Sequence, residues 1–151
     1  MKTKVVTIVI SSVAFILLAV VLLLPSKSVT IDNIKEMTFN RITGNSINDI
    51  FSYSITCEEE CKLSYYKAGK LVRKENIDND KMKELEDMLN KYNVGGWNGF
   101  ENNNKDVLDG SSFGFSVYMK NGHNIIASGY AEFPKNYNEV LEEFKTLFNV
   151  D

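Results

Sequence analysis

Histidine and cysteine are nearly missing from this chain, with one His and two Cys in 151 residues. A zinc site needs four ligands, or three and a water, drawn mostly from thiolates and imidazoles. Cys57, Cys61 and His123 fall short of that, so the residues imply no metal. Catalysis by a nucleophile–histidine–carboxylate set would have to use His123, and no nucleophile or carboxylate stands beside it in the local pattern. No cofactor motif and no internal repeat is present. Basic excess is lacking too: 17 basic residues face 20 acidic ones, for a net charge of −3. Two of those basic residues, Lys2 and Lys4, lie ahead of the first apolar run, so the rest is more acidic still. An acidic body repels phosphate backbones, which excludes nucleic acid as a partner.

Charge is absent altogether from Val5 to Leu24, which reads VVTIVISSVAFILLAVVLLL. As a helix this run would be about 30 Å long, the thickness of a bilayer's hydrocarbon core. The hydroxyls of Thr7, Ser11 and Ser12 can bond to carbonyls of the preceding turn and so cost little in lipid. Pro25 closes the run. Lys2 and Lys4 before it set the orientation, with the N-terminus in the cytoplasm and the remainder outside. A cleaved signal peptide is the alternative, but its apolar core is normally shorter, about 7–15 residues, and Ser26-Lys27-Ser28 is a weak cleavage site. The expected organisation is a transmembrane anchor over 1–25, a tether over 26–33 and an extracytoplasmic domain over 34–151, with membrane lipid the partner of Val5–Leu24.

Period-2 alternation then predicts strands. Met37, Phe39 and Arg41 alternate with Glu36, Thr38 and Asn40, and Thr43-Gly44-Asn45-Ser46 reads as a turn. Phe51, Tyr53, Ile55 and Cys57 share one face, as do Cys61, Leu63 and Tyr65. Folding these two strands over Glu58-Glu59-Glu60 sets Cys57 opposite Cys61, Ile55 opposite Leu63 and Tyr53 opposite Tyr65, with every apolar side chain on one face. Opposed β-carbons lie near disulfide range, so a hairpin-closing Cys57–Cys61 bridge is expected outside the cell. A redox pair or half of a metal site is the alternative. Leu71–Asn76 makes a fourth strand, and its mixed charges suit a sheet edge.

Asp78 is placed as the N-cap of a helix carrying Met82, Leu85, Met88, Leu89 and Tyr92, with Gly95-Gly96 ending it. Gly95 to Ser112 has no clean period, which marks a functional loop or a short element. Trp97 and Phe100 are expected to dock it to the core. Its oxygen-bearing residues, from Asn102 to Asp109, lack the spacing of a calcium loop. Phe113, Phe115, Val117 and Met119 alternate with Gly114, Ser116 and Tyr118. A two-residue turn at Asn121-Gly122 would pair Val117 with Ile126, Tyr118 with Ile125 and Lys120 with His123. After Phe133-Pro134, Tyr137, Val140, Leu141, Phe144, Leu147 and Phe148 form the apolar stripe of a last helix.

Gly96-Trp97-Asn98-Gly99-Phe100, Leu108-Asp109-Gly110-Ser111-Ser112-Phe113, Ala127-Ser128-Gly129 and Phe133-Pro134 together resemble a small extracytoplasmic domain. That domain recurs in membrane-anchored proteins and lipoproteins of Gram-positive bacteria. The resemblance spans Leu85 to Phe148 and implies location and compactness; it brings no activity and no functional residues.

The expected fold is α+β: a transmembrane helix, then an antiparallel sheet in the order β-β-β-β-α-β-β-α with both helices on one face. The other face would carry Ser52, Ser54, Thr56, Ser64, Tyr66, Ser116, Tyr118 and Ile125. Tyr66, Tyr118, Ser54, Ser64 and Ser116 are the candidate interaction residues. The function expected is a non-catalytic, membrane-tethered binding or regulatory module on the outer face of the cytoplasmic membrane, with a membrane or cell-envelope protein as partner. The alternatives are a cell-envelope enzyme using Glu101, Asp106 and Asp109, and a secreted inhibitor or immunity-type protein.

Overall fold

Alternating side chains build the sheet, and two amphipathic helices cover one of its faces. The computed structural model describes residues 28–44 and 50–150. The Val5–Leu24 run, residues 26 and 27 of the tether and the Asn45-Ser46 half of the first turn lie outside that range. Among the described residues no helix is long and apolar enough to cross a membrane.

The fold is α+β. Its strands are β1 (Ile34–Ile42), β2 (Ile50–Cys57), β3 (Cys61–Lys67), β4 (Lys70–Ile77), β5 (Glu101–Asn103), β6 (Ser112–Met119) and β7 (Asn124–Tyr130). Helix α1 (Asn79–Lys91) follows β4, a 3-10 turn (Val94–Trp97) follows α1, and α2 (Tyr137–Phe148) closes the chain. One seven-stranded sheet forms in the order β4-β3-β2-β1-β6-β7-β5.

The sheet is mixed rather than purely antiparallel, because β5 runs parallel to β7. This strand was not expected. All three of its residues are exposed, so it carries no apolar period, and backbone bonds tie it to β7. Ser128 N donates to Phe100 O and Asn104 N to Tyr130 O.

The β2–β3 register matches the alternation, with Tyr53 opposite Tyr65, Ile55 opposite Leu63 and Cys57 opposite Cys61. Cys57 and Cys61 are joined in a disulfide. Closing so short a loop contributes about 2 kcal/mol of entropic stabilisation.

The β6–β7 register differs from the expected one by one residue. Val117 faces Ile125 and Ser116 faces Ile126. The connection is a three-residue loop: Gly122 N donates to Met119 O, Met119 N donates to His123 O, and Gly122 sits at φ +88°. This is a type I turn followed by a left-handed bulge residue, in which only the glycine needs positive φ. A one-residue slip exchanges the faces of a strand. Ile125 is therefore fully buried, against expectation, and Ile126 stands 49% exposed on the open face.

Asp78 caps α1, its Oδ1 accepting from Lys81 N at 2.8 Å. The helix ends at Lys91, and Asn93, in the left-handed conformation at φ 56°, turns the chain out of it, not Gly95-Gly96. Gly95 is needed for a different reason: a β-carbon there would lie 1.8 Å from the Val29 carbonyl oxygen. Residues 28–33, expected as tether, pass over the end of α1. Ile31 is 1% exposed. The Asn90 side chain grips its backbone from both sides, accepting from Ile31 N at 2.9 Å and donating to Ile31 O at 2.7 Å. Glu86 Oε1 accepts from Ile34 N.

Both helices pack on the face that carries Met37, Phe39, Tyr53, Ile55, Leu63, Phe115 and Val117. Phe39 is the hub, with the rings of Phe115, Tyr137 and Phe144 edge-on at 5.5, 5.8 and 6.0 Å. Trp97 is buried against Phe113, Phe115 and Tyr137, and its indole N–H donates to Lys135 O at 3.0 Å. Arg73 bonds the carbonyls of Phe148 and Asn149, which places a cation at the negative end of α2.

Candidate functional site

Among the described residues nothing covers the face opposite the helices. Strand periodicity aims Glu36, Thr38, Asn40 and Ile42 of β1 outward, because Met37 and Phe39 between them are buried. Neighbouring strands are in register with them. Ser54 stands opposite Thr38, which stands opposite Ser116, and Ser64 stands opposite Ser54. A row of four small hydroxyl side chains, Ser64-Ser54-Thr38-Ser116, thus crosses the middle of the sheet. The next row runs Tyr66-Ser52-Asn40-Gly114, with Ser52 Oγ donating to Asn40 Oδ1. The row on the other side holds Lys62, Thr56, Glu36 and Tyr118.

All five candidate interaction residues, Tyr66, Tyr118, Ser54, Ser64 and Ser116, therefore share this one face. Tyr118 is 40% exposed, and Tyr66 and the serines are half-buried by their strand neighbours. Ile125, expected on this face though not one of those five, belongs to the core, and Ile126 takes its place. Ile42 also opens onto this surface. At the β7 margin, Tyr130 pins the 104–111 loop: its hydroxyl accepts from Gly110 N at 2.9 Å and donates to Leu108 O at 2.8 Å.

The alternative carboxylates are scattered along that margin. Glu101 lies in β5, Asp106 and Asp109 lie in the following loop, and all three are exposed. Asn104 Oδ1 accepts from Asp106 N, a local turn bond that engages one of the oxygens considered for calcium. His123 is exposed at the β6–β7 loop. Among the described residues no group of three or more His, Cys, Asp or Glu side chains is placed to hold a metal ion.

A second feature went unnoticed in the sequence. Between the end of β1, the start of β2 and α2 lies a cavity of about 200 Å³ lined by Arg41, Thr43, Phe51, Tyr53, Leu141 and Lys145. Arg41 is on the helix-covered face of β1, in line with Met37 and Phe39. Among the described residues its Nε is buried without a hydrogen-bond partner, as is the Tyr137 hydroxyl. Lys145 Nζ meets Glu142 Oε1 at 2.8 Å. Burial raises the Tyr137 phenol to about 12 and pushes the Tyr53 phenol up further, while the Arg41 charge pulls both partly back. The signal in the sequence was a cation at the third place of an otherwise apolar alternation.

No protein-family model matches the chain, and no curated protein matches it either.

Proposed function

We propose that this protein is a non-catalytic binding module held at the outer face of the cytoplasmic membrane, with the open sheet face docking another protein of the membrane or envelope. An antiparallel sheet can face water on one side, so openness alone names no partner. The composition of the face is what carries the reading. Serine and threonine hydroxyls dominate it, with Tyr66, Tyr118 and Asn40 set among them, and serine, asparagine and tyrosine are residue types that protein-binding loops use. Tyrosine gives wide contact area at low entropic cost, and serine and asparagine give adaptable hydrogen bonds. The uncharged run Val5–Leu24 supports the membrane location, with Lys2 and Lys4 supporting its direction. The resemblance to extracytoplasmic domains of membrane-anchored proteins points the same way.

Co-purification from detergent-solubilised membranes tests the docking face. A partner held by the native protein should be lost from a Tyr66→Ala/Tyr118→Ala variant whose melting temperature is unchanged. Retention of every partner rules the face out. Protease added to whole cells should degrade the domain, and protection until lysis rules out the location.

A further inference from the structure

A cavity of about 460 Å³ opens beside the tip of the β2–β3 hairpin, and both cysteines line it. Cys57 is 5% exposed, and Cys61 is only half-buried, so an external thiol has its route in at Cys61. We infer that the Cys57–Cys61 disulfide is a redox switch, opened by exchange with a neutral or cationic dithiol, that loosens one margin of the open sheet face. A thiolate of the dithiol attacks Cys61 Sγ, and the Cys57 sulfur leaves as a thiolate. The second thiol of the donor then displaces Cys61 from the mixed disulfide. The donor ends oxidised to a disulfide, and the cysteine pair takes up the two electrons and two protons.

The surroundings of the bridge suit a switch better than a staple. It closes only the turn Glu58-Glu59-Glu60, and short closures contribute least to stability. The fully buried pair Ile55 and Leu63 holds the hairpin together without it. The turn itself sets three carboxylates side by side, and like charges at that spacing repel, so the bridge confines a turn that tends to open. A backbone bond from Glu58 N to Glu60 O and one from Asn76 Nδ2 to Glu60 Oε2 also tie the tip. Charge selects the donor. Among the described residues Glu58, Glu59, Glu60 and Asp78 line the cavity against one cation, Lys120, which repels an anionic thiol and attracts a cationic one. The effect reaches the open face through Thr56 and Lys62, which adjoin the cysteines, stand opposite each other and alternate onto that face. The consequence for docking rests on the function proposed above; the exchange itself does not.

The test treats the full-length chain, folded in mild detergent, with cysteamine, mercaptoethanol or mercaptoacetate at low salt. Free thiols are trapped by alkylation and counted by mass spectrometry, and each rate is divided by that thiol's rate with hydroxyethyl disulfide. Reduction should need no denaturant and should rise linearly with thiol concentration. Cysteamine should react about tenfold faster than mercaptoacetate, and a Glu58→Gln/Glu59→Gln/Glu60→Gln variant should lose most of that ratio. After full reduction by dithiothreitol, amide exchange at Thr56 and Lys62 should quicken about tenfold while Ile55 and Leu63 stay protected. A Cys57→Ser/Cys61→Ser variant should stay folded and show the same quickening. Reduction only in denaturant, a rate indifferent to thiol concentration, equal rates for the three thiols, unchanged exchange at Thr56 and Lys62, or an unfolded double-serine variant would overturn the switch. None of these measurements needs a partner, so the switch and the docking face can fail separately.

Discussion

Gly95 shows how one residue can join two segments. The missing side chain leaves room for the Val29 carbonyl, which a β-carbon would approach to 1.8 Å. Both partners are backbone, so neither can swing aside. Gly95→Ala should cost about 1–3 kcal/mol by overpacking and should release the Ile31 amide, held by Asn90, to faster hydrogen exchange. Native stability in denaturant would show that residues 28–33 are not seated there. The buried phenols make a second prediction. Tyr137 ionises near 12 in the folded protein and Tyr53 higher, both mainly through burial, against about 10 when unfolded. A raised folded-state value favours folding fully below pH ~10 and loses that contribution as pH rises toward 12. Thermal stability should therefore fall above pH ~10, with part of the phenolate absorbance appearing only on unfolding. Simple, simultaneous ionisation of all seven tyrosines in the folded protein would refute it. Of the residues that matter, the tyrosines and serines of the open face were readable from alternation. Arg41 was read correctly as sharing a face with Met37 and Phe39, yet its unpaired Nε depends on what α2 brings to it, and alternation carries no such information.

At the scale of elements, legibility followed the number of constraints. The β2–β3 hairpin was overdetermined, because two apolar alternations and two cysteines all require one register. The β6–β7 hairpin had only an Asn-Gly pair to fix its turn. That pair serves a two-residue turn and a three-residue turn equally well, and the choice moved Ile125 into the core and Ile126 onto the surface. Asn93 could end α1 as well as a glycine could, since asparagine tolerates the left-handed region. Gly95 was thereby released for packing against Val29. Strand β5 was invisible because three exposed side chains have no period. Its place follows from the chain leaving the buried Trp97 and running alongside β7. The edges also have a physical account. At β4 a register shift beside Tyr65 and Tyr66 leaves Val72 59% exposed, and a bulge with flanking charge discourages a further strand from adding there.

For the whole molecule, the division of labour between the two sheet faces is the main consequence. Both helices are spent on one face, and the other keeps a hydroxyl-rich surface with Tyr66 and Tyr118 set on it. On the proposed reading the membrane segment supplies position and the open face supplies recognition. Chain direction adds a restraint, because residues 28–33 are docked on α1 and are not a free linker. On the proposed reading, that leaves fewer residues for a tether than the 26–33 expected. Photocross-linking in intact cells tests this account most directly, with the cross-linking residue placed at Ser54 or Ser116 on the open face and at Lys83 or Glu139 on the helical side. The account predicts a discrete cross-linked protein from Ser54 and Ser116 and none from Lys83 or Glu139. Cross-links from the helical positions alone, or none from the sheet face, would contradict it.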